Sequence, residues 1–243
     1  MSVLALTNAK VVVAQADLSG HSNQVELKTE VEALDSTVFS PAGYRTMVGG
    51  LFSVSCSVEG FWSAGDGTQP DDRLFADLGV AGVPLTVSPT GAAVGDVSYF
   101  TRVVRPSYSA GAEVGQLMAF KSSANGDGTR LVRGQVADNQ ARTATGTTAV
   151  RTLTVPSASQ RVYAAIHVLS ASGTTPSLTA TLQTDDGVGF ASPATVVTGS
   201  ALTAAGSQWL SGGLAVGEGF YRLSYVISGT SPSFVVVASI GVG

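Results

Sequence analysis

Two stretches in which apolar and polar residues alternate strictly constrain the fold of this chain more than any other sequence feature. They are QVELKTEVE at residues 24–32 and LFSVSCSVEGF at residues 51–61. The residues on their apolar faces are Val25, Leu27, Thr29 and Val31 in the first stretch and Phe52, Val54, Cys56 and Val58 in the second. Because successive side chains of a strand point to opposite faces, both stretches predict half-buried antiparallel strands.

The composition extends this β-rich pattern to the whole chain. Of 243 residues, 44% are hydrophobic and only 12% are charged, which is the reverse of a disordered sequence. Val and Thr favour strands, and 29 glycines interrupt the apolar runs. We therefore predict an all-β fold, mainly antiparallel, in which a β-sandwich or barrel is followed by a second β-sandwich.

One short helix is predicted in TQPDDRLFADLG, residues 68–79. Thr68 suits the N-cap, Pro70 suits the first turn, and Gly79 ends the helix. The residues expected to face the core are Leu74, Phe75 and Leu78.

Further strands are expected at residues 83–89, 96–105, 114–123 and 129–138. The last two are predicted to form a hairpin, because the run Ala-Asn-Gly-Asp-Gly at residues 124–128 has strong turn chemistry. These strands complete a first β unit.

The chain is expected to divide into a β domain at residues 1–140, a linker at 141–152 and a C-terminal β-sandwich at 153–243, of immunoglobulin-like or jelly-roll-like type. The linker is small, polar and rich in Gly and Thr. The C-terminal part holds an internal repeat, VYAAIHVLSASGTTPSLTATLQ and FYRLSYVISGTSPSFVVVAS. Each copy is predicted to be a hairpin turning at SGTxPS.

The sequence contains no constellation of residues that supports catalysis. No serine lies in a G-x-S-x-G elbow, and the two histidines, His21 and His167, are far apart in the sequence. His167 is expected to be a satisfied strand residue, and Cys56, the single cysteine, a small buried hydrophobe. We expect no catalytic residues, no cofactor, no metal, no membrane span and no signal peptide.

The charge distribution argues against an ordinary nucleic-acid-binding protein. Residues 1–98 carry 11 acidic and 4 basic side chains, and residues 99–150 carry 3 acidic and 6 basic ones. Binding to phosphates requires clustered Lys and Arg, which this chain lacks.

The N-terminal features follow an order that resembles the opening of the major tail tube proteins of long-tailed (siphovirus-like) bacteriophages. That family shows an opening strand with D-φ-S-G, an alternating strand ending near D-x-T-x-F, a loop with G-φ and a strand closing on φ-x-G. The matching residues are Asp17, Leu18, Ser19 and Gly20; Asp35, Thr37 and Phe39; Gly50 and Leu51; and Val58 and Gly60. The resemblance covers about the first 140 residues.

This resemblance implies an assembly rather than an enzyme. Six copies would join their sheets into a ring with a closed inner barrel, and the rings would stack into a tube that carries genomic DNA during ejection. It implies a location in the virion tail, with assembly in the host cytoplasm and contacts to the tape measure, tail terminator and distal tail proteins. The C-terminal part is expected to be an appended β-domain, with a duplicated tube unit as the alternative.

Two sets of candidate site residues follow. A bore that passes DNA without retaining it should be acidic or neutral, which suits a lumen-facing set consisting of Glu26, Glu30, Glu32, Ser53, Ser55, Ser57 and Glu59. The loop at residues 36–50 is too long for a tight hairpin and carries large apolar residues that would be unfavourable in water. It is therefore expected to contact the neighbouring ring. The loop residues are Phe39, Tyr44, Arg45 and Met47.

Two other readings stay open at the level of sequence. For the polar residues, an ordinary solvated sheet face is the alternative to a lumen. For the whole chain, the alternative is a capsid-decorating or host-glycan-binding virion protein, with sugars stacked on aromatic residues. The candidate aromatic residues are Trp62, Tyr163, Trp209, Tyr221 and Tyr225.

Overall fold

The computed structural model describes residues 6–38, 43–65, 67, 69–214 and 218–243. Within these residues the chain is all-β and antiparallel, with one short helix, as the sequence predicts. The elements are β1 (Lys10–Val13), β2 (Ala16–Asp17), β3 (Ser22–Asp35), β4 (Met47–Phe61), α1 (Pro70–Ala76), β5 (Val83–Ser88), β6 (Val97–Gly111), β7 (Ala119–Gly126), β8 (Val132–Arg142), β9 (Gly146–Thr147), β10 (Arg151–Thr152), β11 (Arg161–Asp185), β12 (Ala194–Thr198), β13 (Gly206–Leu214) and β14 (Phe220–Val242).

All fourteen described strands belong to one hydrogen-bonded sheet. Its main path runs β12-β11-β14-β8-β6-β5-β1-β2. A branch leaves β6 through β7 to β4 and ends at β3, while β13 pairs with β11 and both β9 and β10 pair with β14. The backbone ladder therefore runs without a break through the N-terminal and C-terminal halves of the chain.

The N-terminal half forms two layers because β6 belongs to both of them. Its first part pairs with β5 and β8, and after a register shift between Val104 and Ser107 its second part pairs with β7. The layer β3-β4-β7-β6 thus packs over the layer containing β1, β2 and β5. The buried apolar residues between them are Val11, Val13, Ala14, Ala16, Leu18, Cys56, Val58, Leu74, Val83, Leu85, Val87, Val103, Phe120 and Ala124.

The predicted hairpin between residues 114–123 and 129–138 is wrong. Strands β7 and β8 do not pair with each other; both pair with β6, with Gly126 opposite Val103 and Val132 opposite Phe100. The residues between them move the chain along the same edge of β6 without reversing it. Turn chemistry alone does not distinguish these outcomes, because both require a tight local bend.

Helix α1 packs on the N-terminal core through Leu74, which is fully buried. Gln69 holds the N-cap position, while Thr68, the predicted cap, lies outside the described residues. The prediction for Phe75 is wrong, since this ring is 65% exposed; it packs edge to face with the Tyr108 ring. At the C-cap, Asp77 Oδ2 lies 2.6 Å from Arg105 Nη2, and burial lowers the pKa of Arg105 to about 10.

The C-terminal repeat does not consist of two hairpins, which corrects the prediction. Each copy is one long strand, β11 or β14, and the two copies pair with each other from Val162 opposite Val242 to Asp185 opposite Phe220. The SGTxPS segments lie opposite each other at the centre of this ladder, where its register shifts. Each segment bends its strand instead of reversing it.

The bends create the C-terminal core. Buried residues from both halves of β11 and β14 belong to one apolar cluster, so the two halves of the ladder face each other as the layers of a sandwich. Its main members are Val162, Ala164, Ile166, Val168, Leu178, Ala180, Leu182, Leu210, Tyr221, Leu223, Tyr225, Phe234, Val236, Ala238 and Ile240.

Two glycines allow the bends. Gly173 has a φ of +113° and Gly229 a φ of +115°. A Cβ at Gly173 would lie 2.7 Å from the carbonyl oxygen of Ser231, and a Cβ at Gly229 would lie 2.7 Å from that of Thr175. The two contacts are reciprocal, because each glycine lies against a carbonyl oxygen of the other repeat copy at the same distance. The two copies are therefore related by a local two-fold axis.

We predict that Gly173→Ala destabilises the protein by about 1–3 kcal/mol, because Ala is strained at this φ and its methyl group meets a carbonyl oxygen. Urea unfolding followed by circular dichroism measures the change. Gly213→Ala is the matched control, since Gly213 also lies in a strand but has open space at its Cβ position and no positive φ. Equal unfolding midpoints for the two variants would contradict the prediction.

The segment predicted as a linker, residues 141–152, lies along β14. Strands β9 and β10 pair with it, and the Thr148 hydroxyl accepts a hydrogen bond of 3.0 Å from Leu223 N. Its backbone is therefore held in the sheet. The division of the chain into domains at this segment stays a prediction.

His167 connects the two halves of the chain. Its ring is fully buried, with Nδ1 2.6 Å from the Ala14 carbonyl oxygen and Nε2 2.8 Å from Thr86 Oγ1. Because a carbonyl oxygen only accepts, Nδ1 carries the proton and Nε2 accepts from the hydroxyl. The prediction of a satisfied strand histidine is confirmed, and burial lowers its pKa to about 4.

We predict that His167 makes the protein less stable as the pH falls from about 6.5 to about 4. The unfolded chain binds a proton near pH 6.5 whereas the folded chain does not until about pH 4, so acid favours unfolding by up to about 3 kcal/mol. Unfolding free energies measured across this range should fall less steeply in His167→Gln than in the wild type. His21→Gln serves as the control, and an unchanged slope in His167→Gln would refute the prediction.

Candidate functional site

The register of the layer β3-β4-β7-β6 gathers polar side chains on its outward face. Glu26 lies opposite Ser57, and Glu30 lies opposite Ser53. On the next strands, Ser57 lies opposite Ser123, which in turn lies opposite Ser107 and bonds to its hydroxyl at 2.6 Å. We call this surface the polar face. Its members are Gln24, Glu26, Lys28, Glu30, Glu32, Ser53, Ser55, Ser57, Glu59, Ser107, Ser109, Lys121, Ser123 and Asn125.

A β-bulge in β4 leaves Glu32 on the polar face. The ladder shifts between Val31, opposite Phe52, and Ala33, opposite Gly49, so that β4 contributes one extra residue. The alternation along β3 is kept, and the Glu32 carboxylate lies over Gly50, whose absent side chain leaves room for it.

The polar face carries four carboxylates and two ammonium groups, and both ammonium groups are paired. Lys28 Nζ lies 2.8 Å from Glu30 Oε1, and Lys121 Nζ lies 2.5 Å from Glu59 Oε1. The hydrogen bond to the carboxylate raises the pKa of each lysine. Lys121 contributes from β7, a strand that periodicity alone did not connect with β3 and β4.

The opposite side of the same strands closes the core. Val54, Cys56 and Val58 are buried, as the alternation predicts. Burial raises the pKa of the Cys56 thiol to about 12, which makes this thiol unreactive in the folded protein.

Beyond the core, β3 and β4 continue as a two-stranded arm that no other described strand covers. We define the arm as Thr29–Asp35, the described parts of residues 36–46, and Met47–Ser53. The expected burial of Thr29, Val31 and Phe52 is wrong, because all three residues are exposed; Phe52 has the Arg130 guanidinium over its ring, 4.4 Å from the ring centroid. The strands β3 and β4 are simply longer than their neighbours.

The predicted inter-ring loop is shorter than expected. Strand β4 already begins at Met47, so Met47 is a strand residue and the connection covers residues 36–46. Tyr44 is 79% exposed and Arg45 is exposed, while Phe39 lies outside the described residues. Neither Tyr44 nor Met47 packs into a core of this chain.

Several residues of the tail-tube resemblance have local structural roles. Asp17 Oδ1 accepts hydrogen bonds from the backbone and hydroxyl of Ser19, whose own oxygen accepts from Val11 N at 3.0 Å. Thr37 N donates to Asp35 Oδ1 at 2.9 Å. Gly60 lies against the His21 backbone so closely that a Cβ would collide with it. These residues set where β3 begins, where the arm turns and where β4 ends.

The layer β3-β4-β7-β6 ends in two edges without a described partner strand. One is the whole of β3, which pairs only with β4. The other is the second part of β6, Ser107–Gly111, which pairs with β7 on one side only. The Arg105 carbonyl oxygen, just before it, accepts from Gly79 N at 3.0 Å.

The remaining chemistry of the described residues is limited. They contain no group of three or more His, Cys, Asp or Glu side chains placed to hold a metal ion. Among them, no helix has the length and apolar character needed to cross a membrane. Of the candidate sugar-stacking residues, Tyr221 and Tyr225 are fully buried. Trp209 packs against Phe100 and Tyr163, with ring centroids 5.6 and 5.4 Å apart.

Comparison with solved structures returns proteins of phage tails and related particles. A chain of the "Virion of native gene transfer agent (GTA) particle" is 14% identical, with a TM-score of 0.39 over 50% of this chain and 95% of that one. The SPP1 tail tube is 13% identical, with a TM-score of 0.38 over 51% and 76%. The SPP1 Dit protein, described as a hub of the adsorption apparatus, is 11% identical, with a TM-score of 0.37 over 98% and 100%.

No family model matches the chain, and no curated protein matches it. Phage tail proteins are thus among the solved chains similar to this one, as the sequence resemblance led us to expect.

Proposed function

We propose that this chain is a non-enzymatic structural protein of a phage tail, the major tail tube subunit, which forms stacked hexameric rings around a DNA channel. The observation that carries the proposal is the layer β3-β4-β7-β6, a four-stranded sheet with a polar outer face and two unpaired edges. The sequence resemblance of residues 17–60 supports it.

The direction of the strands supports ring closure. The four strands alternate in direction, so β3 and β6 at the two edges are antiparallel to each other. When copies stand side by side around an axis, β3 of one copy meets Ser107–Gly111 of the next as another antiparallel pair. The unpaired backbone groups of both edges then find partners, which is the favourable state for an exposed edge.

The size of such a ring suits the proposed channel. Six copies contribute 24 strands, and a spacing of about 4.8 Å between strands gives a barrel about 37 Å across, or wider when the strands tilt. The polar face lines this bore, and its excess of carboxylates repels phosphates while its serines keep it smooth and hydrated. Genomic DNA then passes without being held.

The subunit is incorporated in the virion tail after assembly in the host cytoplasm, with tape measure, tail terminator and distal tail proteins as its other partners. Residues 153–243 form a second β-domain appended to the tube-forming part.

We predict that Thr29→Pro prevents ring formation and leaves the monomer folded. Ser36 N donates to the Thr46 carbonyl oxygen at 2.9 Å, so the Ser36 N–H points towards the strand that β3 pairs with. N–H groups alternate in direction along a strand, and Thr29 lies an odd number of residues before Ser36. The Thr29 N–H therefore points away from β4, to the free edge. Proline removes this donor without breaking the ladder to β4. Native mass spectrometry counts the copies, and circular dichroism checks the fold.

Thr29→Ala is the control, because it keeps the N–H and should form rings as the wild type does. Rings of wild-type size from folded Thr29→Pro protein would contradict pairing through β3.

We predict that replacing Glu26, Glu30 and Glu32 by Lys leaves tube formation intact but makes the bore bind DNA. All three side chains are exposed, so the fold tolerates the change, and the added cations attract phosphates. DNA retention by assembled tubes is measured over a range of salt concentrations. It should be higher for the Lys variant than for the wild type, and it should decrease steeply as the salt concentration increases. The triple Gln variant removes the acids without adding cations and should retain little DNA; equal retention by the two variants would exclude a lumenal position.

A further inference from the structure

Exposed apolar side chains are concentrated at the two opposite ends of strand β4. One end is the tip of the arm at Met47, and the other is Phe61, where β4 meets the connection from β6 to β7. Fourteen residue steps separate these positions, which is about 46 Å in a strand. We call the second region the turn end and define it as Phe61, Trp62 and residues 112–118.

At the arm end, large apolar side chains are exposed on both strands and on the described parts of the connection between them. Tyr44 is 79% exposed and Leu51 is 80% exposed. The other exposed apolar members are Val31, Leu34, Val38, Met47, Val48 and Phe52. A two-stranded hairpin with no core of its own is only marginally stable in water, so the arm gains stability when a partner covers it.

The turn end is the second apolar region. Leu117 is 76% exposed, and Val114 has no cover from the rest of the described chain. Trp62 N donates to the Met118 carbonyl oxygen at 2.9 Å, which fixes the indole-bearing segment beside the turn. The exposed aromatic residues Phe61 and Trp62 are of the type that anchors protein interfaces.

The connection at the tip of the arm and the turn end carry charges of opposite sign, although β3 also brings the carboxylates of Glu30, Glu32 and Asp35 to the arm. Arg45 is the single charged residue in the connection 36–46. At the turn end, Glu113 is exposed, and Asp71 lies close by because its Oδ1 accepts from Tyr108 Oη at 2.6 Å. Neither Arg45 nor Glu113 makes an ion pair within the part of the chain that the structure describes.

We propose that the arm end of one copy binds the turn end of a second copy. Arg45 of the first copy then pairs with Glu113 of the second, and Tyr44 packs on Leu117. Because the two surfaces differ and lie at opposite ends of one strand, the contact is heterologous and repeats along a line. This inference deepens the proposed function, on which it rests, by naming the surface that receives the arm when rings stack.

Covalent capture tests the contact directly. Full-length Tyr44→Cys and Leu117→Cys proteins are mixed and treated with a short bismaleimide, which links two thiols within reach. Buried Cys56, with its raised pKa, does not compete. We expect linked dimers that contain one chain of each kind. Val188→Cys replaces Leu117→Cys in the control, since Val188 is exposed but lies in the C-terminal part; equal dimer yields in the two mixtures would overturn the proposal.

Charge reversal tests the pairing independently. Arg45→Glu and Glu113→Arg should each reduce polymer, measured by sedimentation, by about tenfold, since like charges then meet across the contact. The double variant restores the attraction and should recover polymer. Single variants that polymerise like the wild type, or a double variant that stays as defective as the singles, would overturn the pairing.

Ring formation separates the two proposals. Native mass spectrometry of Arg45→Glu should show rings of wild-type size, because Arg45 lies in the connection beyond the end of β3 and belongs to neither the β3 nor the β6 edge. Rings that stack normally despite charge reversal refute the axial contact and leave the tube subunit standing. Linked dimers of the two cysteine variants, together with wild-type protein that never forms rings, would support the axial contact and refute the ring.

Discussion

Continuous backbone pairing is the constraint on which the rest of this structure depends. Three long strands, β6, β11 and β14, with 15, 25 and 23 residues, carry register shifts within their ladders. Each therefore bends and serves two layers. The shift at Val104–Ser107 folds the N-terminal layers over one core, and the paired bends at Gly173 and Gly229 fold the C-terminal layers over another.

Sharing strands between layers also fixes the two cores relative to each other. Strand β8 pairs with both β6 and β14, so the ladder crosses from one half of the chain to the other. His167 adds a buried contact at the same junction, from β11 to Ala14 and Thr86. The arrangement leaves β3 and the second part of β6 as edges, because the junction uses the opposite end of the sheet.

The sequence predicted local features well because their causes are local. The two-residue period placed Val54, Cys56 and Val58 inward and the serines between them outward, and Pro70 marked the start of the helix. It could not predict how far β3 and β4 extend past their neighbours. That depends on the length of β7, a strand more than 50 residues away, so Val31 and Phe52 were expected inside.

Turn signals were ambiguous for the same reason. Gly126 and the SGTxPS segments mark points where the backbone departs from a regular strand, but whether the chain then reverses, shifts or bends depends on which strand lies beside it. The repeat was visible in the sequence, yet its pairing was not, since a hairpin and a pair of bent strands bury the same apolar residues. Only the register revealed Lys121 and Ser123 as neighbours of Glu59 and Ser57.

The ion pairs of the polar face resolve an apparent conflict in the proposed channel. A bore that passes DNA should offer phosphates no free cation, yet Lys28 and Lys121 both lie on the face. Each ammonium group already has a carboxylate at hydrogen-bond distance, on Glu30 and Glu59. In the proposed channel a passing phosphate would compete with that carboxylate for the ammonium group, and the two other carboxylates of the polar face, on Glu26 and Glu32, would keep the net charge of the face negative.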